Sequence, residues 1–279
     1  MEKISYGIRG SLKFTVFMTG VFLFFVVSLV IYICSRLLGL KEPTRRRFFS
    51  TNTHIFCRIF LTAIGIKITT KNLPQHKQAL FIGNHMGYLD VMCLFAVQPS
   101  VFVTSVEMKE TFGLGFFTEL GGSIYVERRN RAKILEELKG MAERINEGFN
   151  VVLYPEATSS NGEQILPFKR TLPMSAAYAK APIQPFVVNF LKIDDQPFSL
   201  KNRDTVCWYG DMDFLTSFWR LCCTQHVFIE YDFLPAFYIN EDQDRAQLAD
   251  QLHSMISAKF KPAKVSFDLQ MQNAEVAAR

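Results

Sequence analysis

Residues 79–98, ALFIGNHMGYLDVMCLFAVQ, hold two apolar runs separated by a short polar bend. The first run, ALFIGN at 79–84, is typical of a buried strand because it is short and leads into a bend that contains glycine. The second run, DVMCLFAVQ at 90–98, is apolar on nearly every face and predicts a buried helix. This order of strand, bend and helix predicts the start of an α/β core.

The same alternation continues on both sides of this stretch. Short runs rich in β-branched and aromatic residues predict further strands at 66–70, 101–105, 122–127, 150–156, 183–190, 205–210 and 226–235. Further helices are predicted around 54–65, 131–147, 175–181 and 242–260. Because strands and helices alternate, the fold class is predicted to be α/β, with a mixed sheet flanked by helices.

The helix predicted at 131–147 is amphipathic. Gly148 is placed to cap its C-terminus, and its apolar face holds Ile134, Leu135, Leu138, Met141, Ala142 and Ile145. The segment DFLTSFWRLCC at 213–223 is short and aromatic. It fits either a core position or contact with lipid, and the core is favoured.

His85 and Asp90 lie in the bend between the first strand and its helix. Five residues along a regular helix turn through about 500°, which would separate the two side chains. The pair can therefore meet only if His85 precedes the helix and Asp90 lies in its first turn, which Gly87 permits. Asp90 would then fix the imidazole tautomer, and the other ring nitrogen could take a proton from a hydroxyl. From the spacing alone, an ordinary buried histidine is the more common interpretation.

The sequence offers no evident serine nucleophile for His85. A GxSxG elbow is absent, and the serines of TSSNG at 158–162 carry no elbow signature. The hydroxyl that His85 activates is therefore expected to belong to a substrate.

The N-terminal segment from Phe14 to Ser35 contains no formally charged residue. At about 1.5 Å per residue it is long enough to cross a hydrocarbon core of about 30 Å. A signal peptide would need a shorter apolar region and a small-residue cleavage site, and a soluble core helix is rarely apolar on all sides. A transmembrane or membrane-embedded helix is therefore predicted, with both arrangements left open.

Basic residues flank this segment on both sides. Lys3, Arg9 and Lys13 precede it, and a larger group follows it, namely Arg36, Lys41, Arg45, Arg46 and Arg47. The excess after the segment predicts that the large C-terminal part faces the cytoplasm. The arginine cluster could also bind anionic lipid headgroups.

Composition limits the class of protein. Hydrophobic residues make up 49% of the chain, and the formal net charge is +5, which by itself does not indicate nucleic-acid binding. The cysteines form no CxxC pair and several lie in apolar runs, which favours a reducing compartment over a disulfide framework. The scattered histidines and the absence of HExxH predict no metal site.

Four blocks in order resemble those of the glycerolipid acyltransferase family, which includes 1-acylglycerol-3-phosphate O-acyltransferases and lysophospholipid acyltransferases. The family's NHxxxxD block matches Asn84 to Asp90, and its glycine-to-arginine block matches GSIYVER from Gly122 to Arg128. Its proline-glutamate block matches YPEATSS, followed by LPFK at 166–169, and its proline pair matches APIQP. An N-terminal hydrophobic anchor ahead of these blocks also fits the family.

The resemblance implies the glycerolipid acyltransferase fold and a membrane-bound O-acyltransferase. His85 would be the general base on a lysolipid hydroxyl, Asp90 would orient it, and the acyl donor would be acyl-CoA or acyl-carrier protein. The substrate-binding residues implied by the matching blocks are Asn84, Gly122, Arg128, Glu156, Thr158 and Lys169. Arg128 would bind an acceptor phosphate. Membrane lipids are the other expected partners, nucleic acid is not expected, and no metal or other cofactor is implied.

Two residues depart from the family pattern. Ala157 stands where the family has glycine, and Ser159 stands where it has arginine, which removes a cation from the expected acceptor site. Lysophosphatidate is the first expected acceptor, and a lysophospholipid or an amino-acid lysolipid is the alternative. Without the family context, Arg128 would be interpreted as a solvated member of ERRNR, and a surface acid after a strand is the alternative interpretation of Glu156.

The sequence predicts three regions: a membrane anchor with its basic flank at 1–47, an acyltransferase domain at 48–264 and a loosely ordered tail at 265–279. Two rival functions remain. A serine-type membrane hydrolase would release free fatty acid, and a non-catalytic scaffold would keep the fold without transferring an acyl chain.

Overall fold

The structure, a computed structural model, describes residues 2–110, 115, 118, 122–127 and 133–264. Its strands are β1 (Ile66–Lys71), β2 (Leu80–Gly83), β3 (Val101–Ser105), β4 (Ile124–Val126), β5 (Val151–Leu153), β6 (Ile183–Ile193), β7 (Gln196–Pro197) and β8 (Val227–Phe233). They form one sheet in the order β1-β8-β6-β2-β5-β3-β4, with β7 paired to β6. Neighbouring strands are parallel, except that β6 is antiparallel to both β7 and β8.

Helices cover both faces of this sheet. They are α1 (Glu2–Leu37), α2 (Glu42–Ala63), α3 (Tyr88–Val97), α4 (Val106–Glu110), α5 (Ile134–Asn146), α6 (Ser175–Ala179), α7 (Phe214–Cys223) and α8 (Arg245–Ser257). Residues of α2, α3 and α7 fill the core on one face, and residues of α5, α6 and α8 fill the core on the other. Because successive side chains of a strand point to opposite faces, Phe81 enters the first core while Leu80 and Ile82 enter the second. The predicted mixed sheet flanked by helices is confirmed.

The carboxyl ends of β2 and β5 lie side by side because these two strands are parallel neighbours in the sheet. The loop after β2 carries His85, and the loop after β5 carries Glu156. In open parallel sheets, ligands bind at this edge of the strands. The fold therefore brings two of the predicted blocks together, although they are far apart in sequence.

The N-terminal apolar segment does not stand alone but forms a hairpin with the next helix. α1 is longer than the predicted segment and α2 begins earlier than predicted. The rings of Phe17 and Phe60 lie 4.8 Å apart, and the Asn52 amide donates to the Ser28 hydroxyl at 3.0 Å, so the two helices pack along their length. The predicted boundary at residue 47 falls inside α2, and the division into three regions stays a prediction. The tail at 265–279 lies outside the described residues.

The strand predicted at 205–210 was wrong. Residues Arg203–Thr205 form a 3-10 turn, and the backbone N–H of Cys207 donates to the Arg203 carbonyl at 2.8 Å. The next N–H, that of Trp208, donates to the Met86 carbonyl at 2.8 Å. Residues 205–210 have the β-branched and aromatic composition of a strand. Their backbone, however, bonds to a turn and to a distant loop instead of a neighbouring strand.

Two further details of the helices differ from or refine the predictions. Leu135, assigned to the buried face of α5, is 47% exposed because it lies at the margin of the arc that contacts the sheet. The aromatic segment 213–223 forms α7, in which Phe218 is buried while Leu215 and Trp219 are exposed. Both a core contact and an exposed apolar face are therefore present on this helix.

Candidate active site

His85 and Asp90 meet as their spacing predicts. His85 precedes α3, and Asp90 lies in its first turn, where its carboxylate reaches back to the imidazole. The Nδ1 atom of His85 lies 3.0 Å from Oδ1 and 3.2 Å from Oδ2 of Asp90. The Asp90 side chain is 0% exposed and that of His85 is 21% exposed, so the carboxylate is fully buried while the imidazole is partly accessible to solvent. The predicted pairing is confirmed.

Asp90 also holds the backbone of the loop that it faces. Its Oδ2 accepts the N–H of Met86 at 2.6 Å and the N–H of Gly87 at 2.9 Å. The Asp90 carboxylate is the acceptor in these contacts, so it favours the tautomer in which Nδ1 of His85 carries the proton. Nε2 is then the nitrogen whose lone pair can take a proton from a hydroxyl.

Gly87 permits this tight loop. Its φ is +155°, and a Cβ at this position would lie 2.8 Å from the backbone nitrogen of Trp208. The segment after the Arg203–Thr205 turn therefore packs directly on the loop that carries His85. Any larger residue at 87 would push these two pieces of backbone apart.

Glu156 clamps the backbone on the other side of His85. Its Oε1 accepts the N–H of His85 at 2.7 Å, and its Oε2 accepts the N–H of Leu166 at 2.7 Å. The side chain is buried, and this burial raises the pKa of the carboxyl group from its ordinary value of 4.5 to about 7. Both oxygens are thus engaged by the protein, and Glu156 acts on the site by holding the loop that carries His85.

The raised pKa of Glu156 predicts how stability depends on pH. Between pH 4.5 and about 7 the folded protein keeps a proton that the unfolded chain has released, so the free energy of unfolding falls as pH rises through this window. The fall contributed by this group is at most about 3 kcal/mol. The free energy of unfolding of Glu156→Gln, measured from pH 4.5 to 7.5, should show a smaller decrease than that of the wild type. Identical slopes for wild type and Glu156→Gln would contradict the assignment.

The two departures in the PEATSS loop have clear structural effects. Ala157 keeps the left-handed backbone that glycine would adopt freely, with φ of +61°. Ser159 donates its hydroxyl hydrogen to the Trp208 carbonyl oxygen. Ser160 donates its backbone N–H to the His85 carbonyl at 2.8 Å. The PEATSS loop is therefore bound both to the loop that carries His85, through Ser160, and to the segment that packs on that loop, through Ser159.

Ala157→Gly is expected to stabilise the protein. A non-glycine residue in the left-handed region costs about 1 kcal/mol, so the substitution should raise the free energy of unfolding by roughly 0.5 to 1 kcal/mol. Chemical denaturation measures this change. Ala142→Gly, within the regular helix α5, is the control and should lower stability by about 1 kcal/mol or more. A loss of similar size in both variants would contradict the strain at Ala157.

The predicted substrate-binding residues occupy different environments. Asn84 is buried, and its amide bonds to both backbone groups of Val188, at 3.0 Å and 2.9 Å, so it ties the end of β2 to β6. Thr158 and Lys169 are exposed on the loops beside His85, and the Lys169 N–H donates to the Pro155 carbonyl at 2.8 Å. Arg128 lies outside the described residues. The substrate contacts assigned to these residues stay predictions.

Arg46 is a residue near these blocks that the sequence did not single out for the site. Its guanidinium donates to the Gly122 carbonyl and bonds the Glu42 carboxylate at 2.6 Å. The basic cluster 45–47 suggested lipid headgroups, but Arg46 and Arg47 both contact the domain, the latter through the Glu147 carbonyl at 2.7 Å. The charge pattern in the sequence could not show whether these arginines bind lipid headgroups or backbone carbonyls of the domain.

Comparisons with known proteins agree with this geometry. A family model described as Acyltransferase matches residues 65–189, which include the loops after β2, β4 and β5. A lyso-ornithine lipid O-acyltransferase from Brucella abortus is 26% identical, over 81% of this chain and 86% of that protein. A 1-acyl-sn-glycerol-3-phosphate acyltransferase from Haemophilus influenzae is 32% identical, over 59% of this chain and 72% of that protein.

The fold is also found in a solved structure. The crystal structure of the 1-acyl-sn-glycerophosphate (LPA) acyltransferase PlsC from Thermotoga maritima superposes with a TM-score of 0.64 at 14% identity. The match covers 92% of this chain and 95% of that chain, so it includes the N-terminal helices as well as the sheet.

Proposed function

Since the chain belongs to the acyltransferase family, we propose that His85 is the general base with which it transfers an acyl chain to the hydroxyl of a lysolipid. The observation that carries this mechanism is the contact between Nδ1 of His85 and the buried Asp90 carboxylate at 3.0 Å. That contact orients the ring and stabilises the imidazolium that forms when Nε2 takes a proton. The neighbouring loop holds the pair in place through Glu156, whose carboxylate accepts the backbone N–H of His85.

The proposed reaction has two steps. Nε2 of His85 takes the proton of the acceptor hydroxyl as its oxygen attacks the carbonyl carbon of an acyl thioester, carried by acyl-CoA or acyl-carrier protein. The carbon–sulfur bond then breaks, and the leaving thiolate receives the proton from the imidazolium. The ester bond replaces the thioester bond, so this scheme needs no metal ion or other cofactor.

The site gives little support to a hydrolase that uses a serine of the chain. Ser159, in the loop beside His85, has its hydroxyl engaged by the Trp208 carbonyl. Ser160 is buried, and its backbone donates to the His85 carbonyl. A serine nucleophile would need its hydroxyl directed at Nε2 and an exposed approach for the acyl group. The hydroxyl is therefore assigned to the acceptor.

For the acceptor we place 1-acylglycerol-3-phosphate first. The relative from Haemophilus influenzae is named for this activity, and the block from Gly122 to Arg128 is retained in full. An amino-acid lysolipid such as lyso-ornithine lipid is the second candidate, because Ser159 replaces a cation and is committed to Trp208. The relative from Brucella abortus is named for that acceptor.

A panel of acceptors tests this assignment. Purified protein is incubated with labelled acyl-CoA or acyl-carrier protein and with 1-acylglycerol-3-phosphate, a neutral lysophospholipid or lyso-ornithine lipid. We expect the phosphate acceptor to react fastest, and Ser159→Arg to increase its advantage relative to the wild type, with Ser159→Ala as the control for loss of the Trp208 contact. Faster reaction of lyso-ornithine lipid would overturn the first assignment in favour of the second, and no transfer to any acceptor would overturn both.

The chain is a membrane-associated protein whose α1 is long and apolar enough to cross a bilayer. For its arrangement we propose that the hairpin of α1 and α2 lies in one leaflet and that both ends of α1 stay on the cytoplasmic side. Near the start of α1, Lys13 donates to the carbonyls of Thr224 and Gln225, at 2.7 Å and 3.0 Å. After the hairpin turn, Arg47 donates to the carbonyl of Glu147. Both ends are thus bound to the same domain.

The exposed surface of the packed helices supports this arrangement. Apolar side chains are exposed on three helices, namely Ile8, Leu12 and Phe22 on α1, Phe48, Ile55 and Ile59 on α2, and Leu215 and Trp219 on α7. Phe14 of α1 contacts Trp219, with ring centroids 6.1 Å apart, so α7 adjoins the hairpin. An apolar face shared by packed helices fits insertion into the headgroup and acyl boundary.

Cysteine labelling tests the topology. In a Cys34→Ser background, which removes the exposed native thiol, single cysteines are placed at Ser11, Lys41 and the domain residue Lys201. A membrane-impermeant maleimide should label all three from the same side of the membrane. Labelling of Ser11→Cys and Lys41→Cys from opposite sides would show that α1 crosses the bilayer and would contradict the hairpin arrangement.

A further inference from the structure

The imidazole of His85 is held on its face as well as at Nδ1. The ring of Tyr154 stacks on it, with ring centroids 4.4 Å apart and planes inclined by 14°. Tyr154 is buried and directly follows β5, two residues before Glu156. One short segment therefore supports His85 twice: the Glu156 carboxylate accepts its backbone N–H, and the Tyr154 ring covers its side chain.

A single hydrogen bond does not fix the orientation of an imidazole. The ring can still tilt about the line from Nδ1 to the Asp90 carboxylate, and such tilting would swing Nε2 away from the acceptor hydroxyl. A stacked aromatic ring removes this freedom, because tilting breaks contact over the whole face. We propose that Tyr154 is a positioning residue that holds the His85 ring in the plane in which Nε2 faces the acceptor hydroxyl. This inference rests on the proposed general-base function of His85.

The environment of Tyr154 makes it a rigid support. Its ring lies 6.1 Å from that of Phe102 in β3 and 6.0 Å from that of Phe186 in β6, so strands on both sides of β5 hold it. Close packing of buried aromatic rings leaves little room for movement. The face that supports His85 is thus fixed by the sheet itself.

The ring of Tyr154 is the part that contacts the His85 imidazole. The hydroxyl is buried and makes no hydrogen bond within the described residues. Burial and the nearby Asp90 carboxylate both raise the pKa of Tyr154 well above its ordinary value, so the phenol stays neutral. A phenylalanine would keep the stacked face and remove an unsatisfied buried hydroxyl.

The test compares Tyr154→Phe, which keeps the ring, with Tyr154→Leu, which removes it. Phe190→Leu is the control, because Phe190 is buried in the same core and its ring packs against Phe198. We expect Tyr154→Phe to keep kcat within about 3-fold of the wild type and to melt at the same temperature or higher. For Tyr154→Leu we expect kcat to fall about 10- to 100-fold with KM for both substrates nearly unchanged, since a small misplacement of a reacting group has effects of this size. Phe190→Leu should lower the melting temperature and leave kcat nearly unchanged.

Several results would overturn the inference. They are a wild-type kcat for Tyr154→Leu, an equal loss of kcat in Tyr154→Leu and Phe190→Leu, and a loss in Tyr154→Phe as large as that in Tyr154→Leu. If Tyr154→Leu does not fold, Tyr154→Met replaces it, because methionine fills a similar volume without a ring. His85→Ala separates the two proposals. If it is as active as the wild type, the general-base function fails, whereas an inactive His85→Ala beside a fully active Tyr154→Leu rejects the positioning role alone.

Discussion

Asp90→Asn is expected to lower kcat by about 10⁴-fold while leaving KM nearly unchanged. The carboxylate accepts two backbone N–H groups through Oδ2 and faces His85 Nδ1 at 3.0 Å. In asparagine the single oxygen would stay with the backbone donors, so its NH₂ group would face Nδ1. The imidazole would then carry its proton on Nε2, the wrong tautomer for a base, and this defect costs about 10⁴ in comparable histidine–aspartate pairs.

Steady-state kinetics of the purified variants measure this effect. Asp232→Asn is a matched control, because Asp232 bonds the exposed Asn72 side chain away from the site, and it should keep the wild-type kcat. A kcat for Asp90→Asn within tenfold of the wild type would show that Asp90 does not set the tautomer. A rise in KM alone would assign Asp90 to substrate binding instead.

His85→Ala is the second large effect that we expect. Removing a general base costs up to about 10⁴-fold in rate, and the described loops show no other imidazole beside Asp90 that could replace it. The variant should fold, because the Glu156 carboxylate bonds the backbone N–H of residue 85 and not the side chain. Its kcat is expected to fall by about 10³- to 10⁴-fold.

Added imidazole provides an independent check on this loss. The space left by the side chain lies between Asp90 and the ring of Tyr154, so free imidazole could bind there and restore part of the rate. His253→Ala is the control, since His253 packs on Phe168 on the other face of the sheet and should retain full activity. Equal losses in the two variants would mean that the effect of His85→Ala is one of stability.

The central strand, bend and helix could be predicted from sequence because their signals are local. The apolar runs define β2 and α3, and the five-residue spacing of His85 and Asp90 permits only one arrangement in which they meet. The same holds for α5 and for Gly148, whose φ of +94° closes that helix as predicted. These features depend on residues close together in the chain.

Contacts between distant residues could not be predicted in this way. Asn84 reads as part of a substrate-binding block, yet its amide bonds Val188, which lies 104 residues further along. The strand predicted at 205–210 has the right residue types, but the backbone N–H of Trp208 donates to the Met86 carbonyl, in the loop that carries His85. Such partners depend on which strands become neighbours, and a single sequence does not reveal that order.

The N-terminal helix likewise has features that the local sequence predicts and contacts that it does not. Its apolar length could be predicted, but its packing could not. The arginines and lysines around it suggested orientation and lipid contact, whereas Lys13 binds the carbonyls that follow α7 and Arg46 binds the Gly122 carbonyl. A basic residue near a membrane helix can serve either purpose, and the three-dimensional position of the carbonyls decides between them.

The central claim is that the acyl chain passes directly from the thioester to the acceptor hydroxyl under the action of His85. A single-turnover experiment with labelled acyl-CoA, or with labelled acyl-carrier protein, and 1-acylglycerol-3-phosphate tests it by following the label after rapid quenching. We predict that the wild type moves the label into the acylated lipid, that none stays on the denatured protein, and that His85→Ala forms no product on the same time scale. Label that becomes covalently bound to the protein, or that is released as free fatty acid in the presence of acceptor, would contradict the account.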